Sequence, residues 1–197
     1  MAIIHKTTMS PGKLDLLAAW LPAQSWYRPT GRPPELARAG GFRLDDPEGE
    51  VGIEFMVVTD TSGGEPTAYH VPLTYRGAPL AGAETALVGT TEHGVLGRRW
   101  VYDGPHDPVL TARLLALFQG RAEPQAQSLS DTPDPSVTAR YEGPEAAGAE
   151  DAPALTVTRV LGEAAAPAAQ TLGEVTAGWT APDGSAHRGV FASLAAR

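Results

Sequence analysis

The chain has 197 residues, 15 Lys and Arg against 23 Asp and Glu for a formal net charge of −8, and a hydrophobic fraction of 42%. That length suits one domain or two small ones, and an acidic surface repels phosphate backbones and anionic lipid, so neither nucleic acid nor membrane is an expected partner. With no cysteine, disulfides and thiolate chemistry are excluded, and no stretch approaches the run of about 18 apolar residues that crosses a bilayer.

The start, MAIIHKTTM, lacks the apolar core of a secretory leader, so a cytoplasmic protein is expected. Only Lys6 and Lys13 are lysines, and with 22 Gly and 18 Pro this arginine-rich composition suggests a high-G+C coding bias and many turns. Residues 3–9 read as a short strand. Ser10-Pro11 then predicts a helix N-cap followed by proline in the first turn. Leu14, Leu17, Ala18 and Leu21 make one helical stripe bounded by Pro22. So short a helix needs a sheet to pack on, with Trp20, Trp26 and Tyr27 covering the seam. Residues 29–41 are a loop by composition, 42–44 a short strand and 45–49 a turn.

Val51, Ile53, Phe55 and Val57 alternate with Gly52, Glu54, Met56 and Val58, which predicts a strand. Residues 60–66 (DTSGGEP) form a hairpin loop, so the next strand, 69–75, should be antiparallel to it and half-buried. Leu87 and Val88 suggest another short strand. Residues 95–103 are a further strand, broken by 104–108. Asp107 is placed to cap a helix with Pro108 at its first position, Leu110, Leu114, Leu117 and Phe118 on one face, and Gly120 as its stop.

Residues 121–135 are polar and proline-rich and read as a linker between a domain at 1–120 and a small antiparallel β subdomain at 136–197. Four strands are predicted there, at 137–141, 155–161, 175–180 and 188–194. Residues 179–185 (WTAPDGS) make a hairpin turn, while 143–153 and 163–170 are Ala/Pro/Gly loops.

Catalytic motifs are missing where they would be diagnostic. Pro11-Gly12-Lys13-Leu14 lacks the Ser or Thr of a phosphate loop, and there is no G-x-G-x-x-G, D-F-G, G-x-S-x-G or H-E-x-x-H. No cofactor is expected. Serines lack an obvious His partner, and His5, His70 and His187 stand isolated, as surface or edge residues do. Glu92-His93 with Asp103, His106 and Asp107 is the nearest approach to a metal or catalytic cluster, although Asp107 is explained by capping and His106 by a turn. Arg76, Arg98 and Arg99 beside Tyr75, Trp100 and Tyr102 make a candidate polar-aromatic face for a sugar or a partner protein. Strand alternation offers the competing reading, with Trp100 in the core and Arg99 in solvent.

Three stretches, residues 1–27 (MAIIHKTTMSPGKLDLLAAWLPAQSWY), 69–82 (YHVPLTYRGAPLAG) and 89–109 (GTTEHGVLGRRWVYDGPHDPV), resemble the N-terminal cap of actinobacterial maltokinases, and most of all its stand-alone forms. The resemblance covers roughly the first 120 residues, and YDGPHDP is its most specific part. It implies an α+β fold: a curved antiparallel sheet packed on one or two short helices, of cystatin-like topology, here followed by a small antiparallel β extension. Full-length relatives place this cap before a kinase body that binds ATP and phosphorylates maltose or a related sugar. None of that body's motifs has a matching position here, so the resemblance implies a fold and no catalytic residue. The extension is expected to seal the apolar face of the cap.

Three functions follow. The first is a non-catalytic cap-like accessory or regulatory module docking on a protein partner, such as a sugar kinase or a glucan-metabolising enzyme. The second is a binder of a carbohydrate or sugar phosphate. The third is an enzyme using His93, Asp103, His106 and Asp107. Tyr75, Arg76, His93, Arg98, Arg99, Asp103 and His106 are the candidate ligand- or partner-binding residues, with no metal site among them, and self-association is left open.

Overall fold

The structure, a computed structural model, describes residues 8–143, 153–162 and 171–196. Its elements in chain order are β1 (Met9–Ser10), α1 (Lys13–Trp20), β2 (Leu36–Leu44), β3 (Gly52–Asp60), β4 (Thr67–Arg76), β5 (Leu87–His93), β6 (Gly97–Asp103), α2 (Pro108–Phe118), β7 (Gln125–Ala126), β8 (Thr138–Tyr141), β9 (Ala154–Val157), β10 (Thr171–Thr180) and β11 (Ala186–Ala195). Among the described residues these strands form one sheet in the order β1-β5-β6-β4-β3-β2-β10-β11-β9, with β7 also on β2 and β8 also on β10. Helices and antiparallel sheet together make the expected α+β class.

β3 and β4 pair antiparallel from Gly52 with Tyr75 to Asp60 with Thr67. The period of two sends Ile53, Phe55 and Val57 to one face and Met56 and Val58 to the other. α1 and the turn that follows it cover the second face, burying Leu16, Leu17 and Leu21 with Met56, Val58, Val71 and Leu73. α2 packs its predicted stripe (Leu110, Leu114, Leu117, Phe118) against the first, with Phe42, Phe55 and Val57. Asp107 caps it as expected, accepting from the Val109 N–H at 2.9 Å. The turn before β11 also forms as expected, with the Gly184 N–H donating to the Ala181 carbonyl at 2.9 Å.

The strand predicted at residues 3–9 is β1 at Met9–Ser10, and residues 3–7 lie outside the described residues. Ser10 does not cap α1. It is held in the ladder opposite Glu92, and Gly12 is the cap, its N–H donating to Asp15 at 3.0 Å. The loop predicted at 29–41 ends early, because β2 starts at Leu36. Glycines that suggest a loop are here a device of the strand. Gly40 marks a bulge between Arg38 and the next pair, and Gly41 sits at φ +128° where an added Cβ would stand 2.1 Å from the Phe55 carbonyl oxygen.

β4 is covered on both faces from Tyr69 to Thr74, so the half-buried expectation is corrected, and His70 is fully buried rather than at a surface or edge. Both differences come from the last third of the chain. Trp179 of β10 pairs with Gly40 of β2, and the far end of the sheet turns back to β4, where Tyr69 bridges Val160 and the His70 N–H donates to the Arg159 carbonyl at 2.9 Å. Val175, Ala177, Trp179, Phe191, Ala192 and Leu194 therefore share one core with Phe42, Phe55, Leu110 and Leu114. At about 1.5–3 kcal/mol per large apolar side chain, this shared burial is what covers the apolar face that α2 leaves open. Within the predicted linker, β7 pairs with β2 (Phe42 with Ala126, Arg43 with Gln125). Of the predicted loops at 143–153 and 163–170, residues 144–152 and 163–170 lie outside the described residues.

Candidate functional site

At one end of the sheet the β2–β3 turn, the segment after β4, the β5–β6 hairpin and the residues after β7 surround a cleft of about 950 Å³. That is within the range of small-molecule sites. Its floor is Glu54 of β3, which points to the α1 face in register with Arg43 and is only 3% exposed. Three donors meet this carboxylate: Lys13 Nζ at 2.5 Å, the Tyr75 hydroxyl at 2.6 Å and Gln127 Nε2 at 2.9 Å. Burial works against the charge, but Lys13 and the other donors outweigh it and hold the Glu54 carboxyl below its ordinary range. The Tyr75 hydroxyl is pushed well above the usual phenol value by burial and then by the neighbouring Glu54 charge. Lys13 also lies 5.0 Å from the Tyr75 ring centroid.

Arginines form much of the wall. Arg43 donates to the carbonyls of Ala126 (3.2 Å) and Leu129 (3.1 Å), tying β2 to the segment after α2. Arg76 makes a two-pronged pair with Asp107, at 2.6 and 2.7 Å, so one carboxylate caps α2 and fixes the last residue of β4. Burial opposes charge on Asp107, and Arg76 with the Val109 N–H overcomes it, keeping that carboxyl low. Asp46 folds the β2–β3 turn by accepting from the N–H groups of Glu48, Glu50 and Val51. Arg38 and Arg99 also line the cleft.

Of the residues singled out in the sequence, Tyr75, Arg76, His93 and Arg99 come together here. His93 closes the β5–β6 hairpin, its Nδ1 accepting from the N–H groups of Val95 and Leu96. The other three stand apart. Arg98 is exposed and pairs with Glu92 at 2.8 Å, while Asp103 binds Arg159 at 2.7 Å and lies 3.8 Å from the exposed His106. Arg159 in turn rests 5.0 Å over the Trp26 ring. The polar-aromatic face is therefore split by strand alternation. Arg99 goes to the cleft and Trp100 packs with Tyr102 and Ala83 in a satellite cluster. Arg99 is half-buried in the cleft wall and not in open solvent.

His93, Asp103, His106 and Asp107 do not converge, since Asp107 is fully buried on Arg76 and Asp103 is taken by Arg159. Among the described residues no three His, Asp or Glu are grouped to hold a metal. Ser185 does have a His partner, contrary to expectation: its hydroxyl lies 2.9 Å from His187 Nε2 and donates to Asp183 at 2.6 Å. A hydroxyl whose proton points at the carboxylate is not being deprotonated by the imidazole, and all three sit exposed on the β10–β11 hairpin.

Lys13, Arg38, Arg43, Glu54 and Gln127 escaped the sequence reading. Glu54 alone carried a clue, a charged residue inside the apolar alternation Ile53–Val58. Gln127 carried none, because it reaches the floor only through the strand pairing of β7. Among the described residues no helix is long and apolar enough to cross a membrane.

Residues 20–107 match the family model described as the maltokinase N-terminal cap domain, which bears out the resemblance over the stretch containing β2 to β6. A search of curated proteins finds no match.

Proposed function

Taking residues 20–107 as a maltokinase N-terminal cap domain, we propose that the chain is a non-catalytic accessory or regulatory module that docks on an enzyme of α-glucan, maltose or sugar-phosphate metabolism. The family match carries this reading. Two features support it: the sequence holds none of the phosphate-binding or kinase motifs it would need for phosphoryl transfer, and the acidic residues nearest to a catalytic cluster are committed to structural partners, Asp107 to Arg76 and Asp103 to Arg159. The test is crosslinking in a native lysate, identification of the crosslinked enzyme, and reconstitution from purified components. A saturable complex with a glucan- or sugar-phosphate-metabolising enzyme supports the reading. Reconstitution that fails at about 100 μM, or nucleotide turned over by the chain alone, overturns it.

One observation favours a second reading, in which the module binds a small molecule. The cleft is concave, has a size that suits a metabolite, and gathers polar groups around a buried carboxylate.

A further inference from the structure

We propose that the cleft binds a small phosphorylated polyol, its phosphate taken by Arg38 and Arg99 and its hydroxyls by Glu54, Tyr75 and Gln127; this rests on the second reading above, that the cleft is a ligand site. Charge is the first ground. Of the cationic side chains lining the cleft, Lys13 is paired with Glu54 and Arg76 with Asp107, and Arg43 is engaged by backbone carbonyls. Among the described residues no carboxylate pairs with Arg38 or Arg99. In a chain of net charge −8, a cleft lined by Lys13, Arg38, Arg43, Arg76 and Arg99 against Asp46, Glu50 and Glu54, with two of its arginines paired to no described carboxylate, is a local reversal of the protein's own field.

Desolvation is the second ground. Arg99 Nε is buried and has no hydrogen-bond partner. Its guanidinium lies against the bare backbone of Gly77, where an added Cβ would stand 2.8 Å from Nη1. A guanidinium cannot shed its charge, so a donor buried in this way stays unsatisfied until an acceptor oxygen arrives. A phosphate offers several such oxygens in a geometry that suits a forked donor.

The floor selects the rest of the ligand. A Glu54 carboxylate repels a second anion, which assigns the phosphate to the arginine wall. Carboxylate, amide and phenol together accept from and donate to hydroxyls, the groups a polyol presents.

The test is calorimetric titration of the full chain with glucose 6-phosphate, glucose and inorganic phosphate as probes, repeated on R38Q, R99Q, the double variant, and R98Q as a control outside the cleft. Glucose 6-phosphate is expected to bind with Kd below about 1 mM, and glucose and inorganic phosphate each at least about tenfold more weakly. The double variant should lose at least about tenfold in affinity while R98Q loses nothing. If the double variant does not fold, R38Q, at an exposed side chain, decides, with a weakening of at least about threefold expected. Glucose binding as tightly as its phosphate would overturn the phosphate assignment and leave the cleft a ligand site. Inorganic phosphate binding as tightly would overturn the polyol half. No binding of any probe would overturn both the proposal and the reading beneath it.

Discussion

Acidification should destabilise this protein through His70. Its ring is fully buried, with centroids 6.0 Å from Phe55 and 4.4 Å from Phe191. Nδ1 lies 2.9 Å from the Thr158 carbonyl, and since a carbonyl only accepts, Nδ1 carries the proton of the neutral ring. Burial is the main cause that lowers the pKa from 6.5 to about 3; the bond to Thr158 opposes it and the Arg159 charge adds to it. The unfolded chain takes up a proton near pH 6.5 and the native chain does not until about 3. Between those values the unfolded state holds more protons, so the stabilisation is complete above the unfolded pKa and is lost as pH falls. Single-site linkage gives a loss of about 2 kcal/mol between pH 7 and pH 5, and about 4 kcal/mol by pH 3. Glu54, Asp60 and Asp107, all held below the carboxylate range, add losses of the same sign only at lower pH, so the interval from 5 to 7 isolates the imidazole. Urea denaturation at pH 7, 6 and 5 reads the effect, and H70Q should lower stability at pH 7 yet flatten the slope. Equal pH slopes for H70Q and the parent chain would refute the reasoning.

Replacing the floor carboxylate by E54L strands Lys13, the Tyr75 hydroxyl and Gln127, and should cost about 3 kcal/mol in urea denaturation; an unchanged midpoint would show that the network does not hold the sheet end. G41A must place a Cβ 2.1 Å from the Phe55 carbonyl oxygen, well inside van der Waals contact, at a positive φ, so a loss of about 3 kcal/mol or more is expected, and a soluble variant with the parent's midpoint would contradict the strand pairing described. F191A should cost about 3–5 kcal/mol, with the fluorescence of Trp26 and Trp179, isolated in single-tryptophan chains, changing at one shared midpoint. Two separate midpoints would mean that the two parts of the core melt independently.

Elements whose pattern is local were legible in the sequence. β3 and β4 follow from alternation, α2 from Asp107, Pro108 and the leucine stripe, and the β10–β11 turn from Pro182 and Gly184. Elements fixed by distant partners were not. β2 was shortened because Gly40 and Gly41 look like loop residues until the backbone of β3 lies against them. β7 is two residues that become a strand only beside Arg43. His70 looked like an edge residue because nothing near it in sequence announces that Phe191 and Thr158 will close over it. The site divides in the same way. Tyr75, Arg76, His93 and Arg99 lie on neighbouring strands and were found, whereas Lys13, Arg38, Glu54 and Gln127 come from four separate parts of the chain.

The placement of β10 beside β2 has a consequence for synthesis. Phe42 and Phe55 leave the ribosome well over a hundred residues before Phe191, their partner in the core. Until then the nascent chain carries an aromatic surface that α2 covers only in part and a β2 edge that β7 pairs only at Phe42 and Arg43, for many seconds at ordinary elongation rates of about 5–20 residues per second. Translation speed and chaperone supply, rather than equilibrium stability, should therefore set how much of the product is recovered in native form.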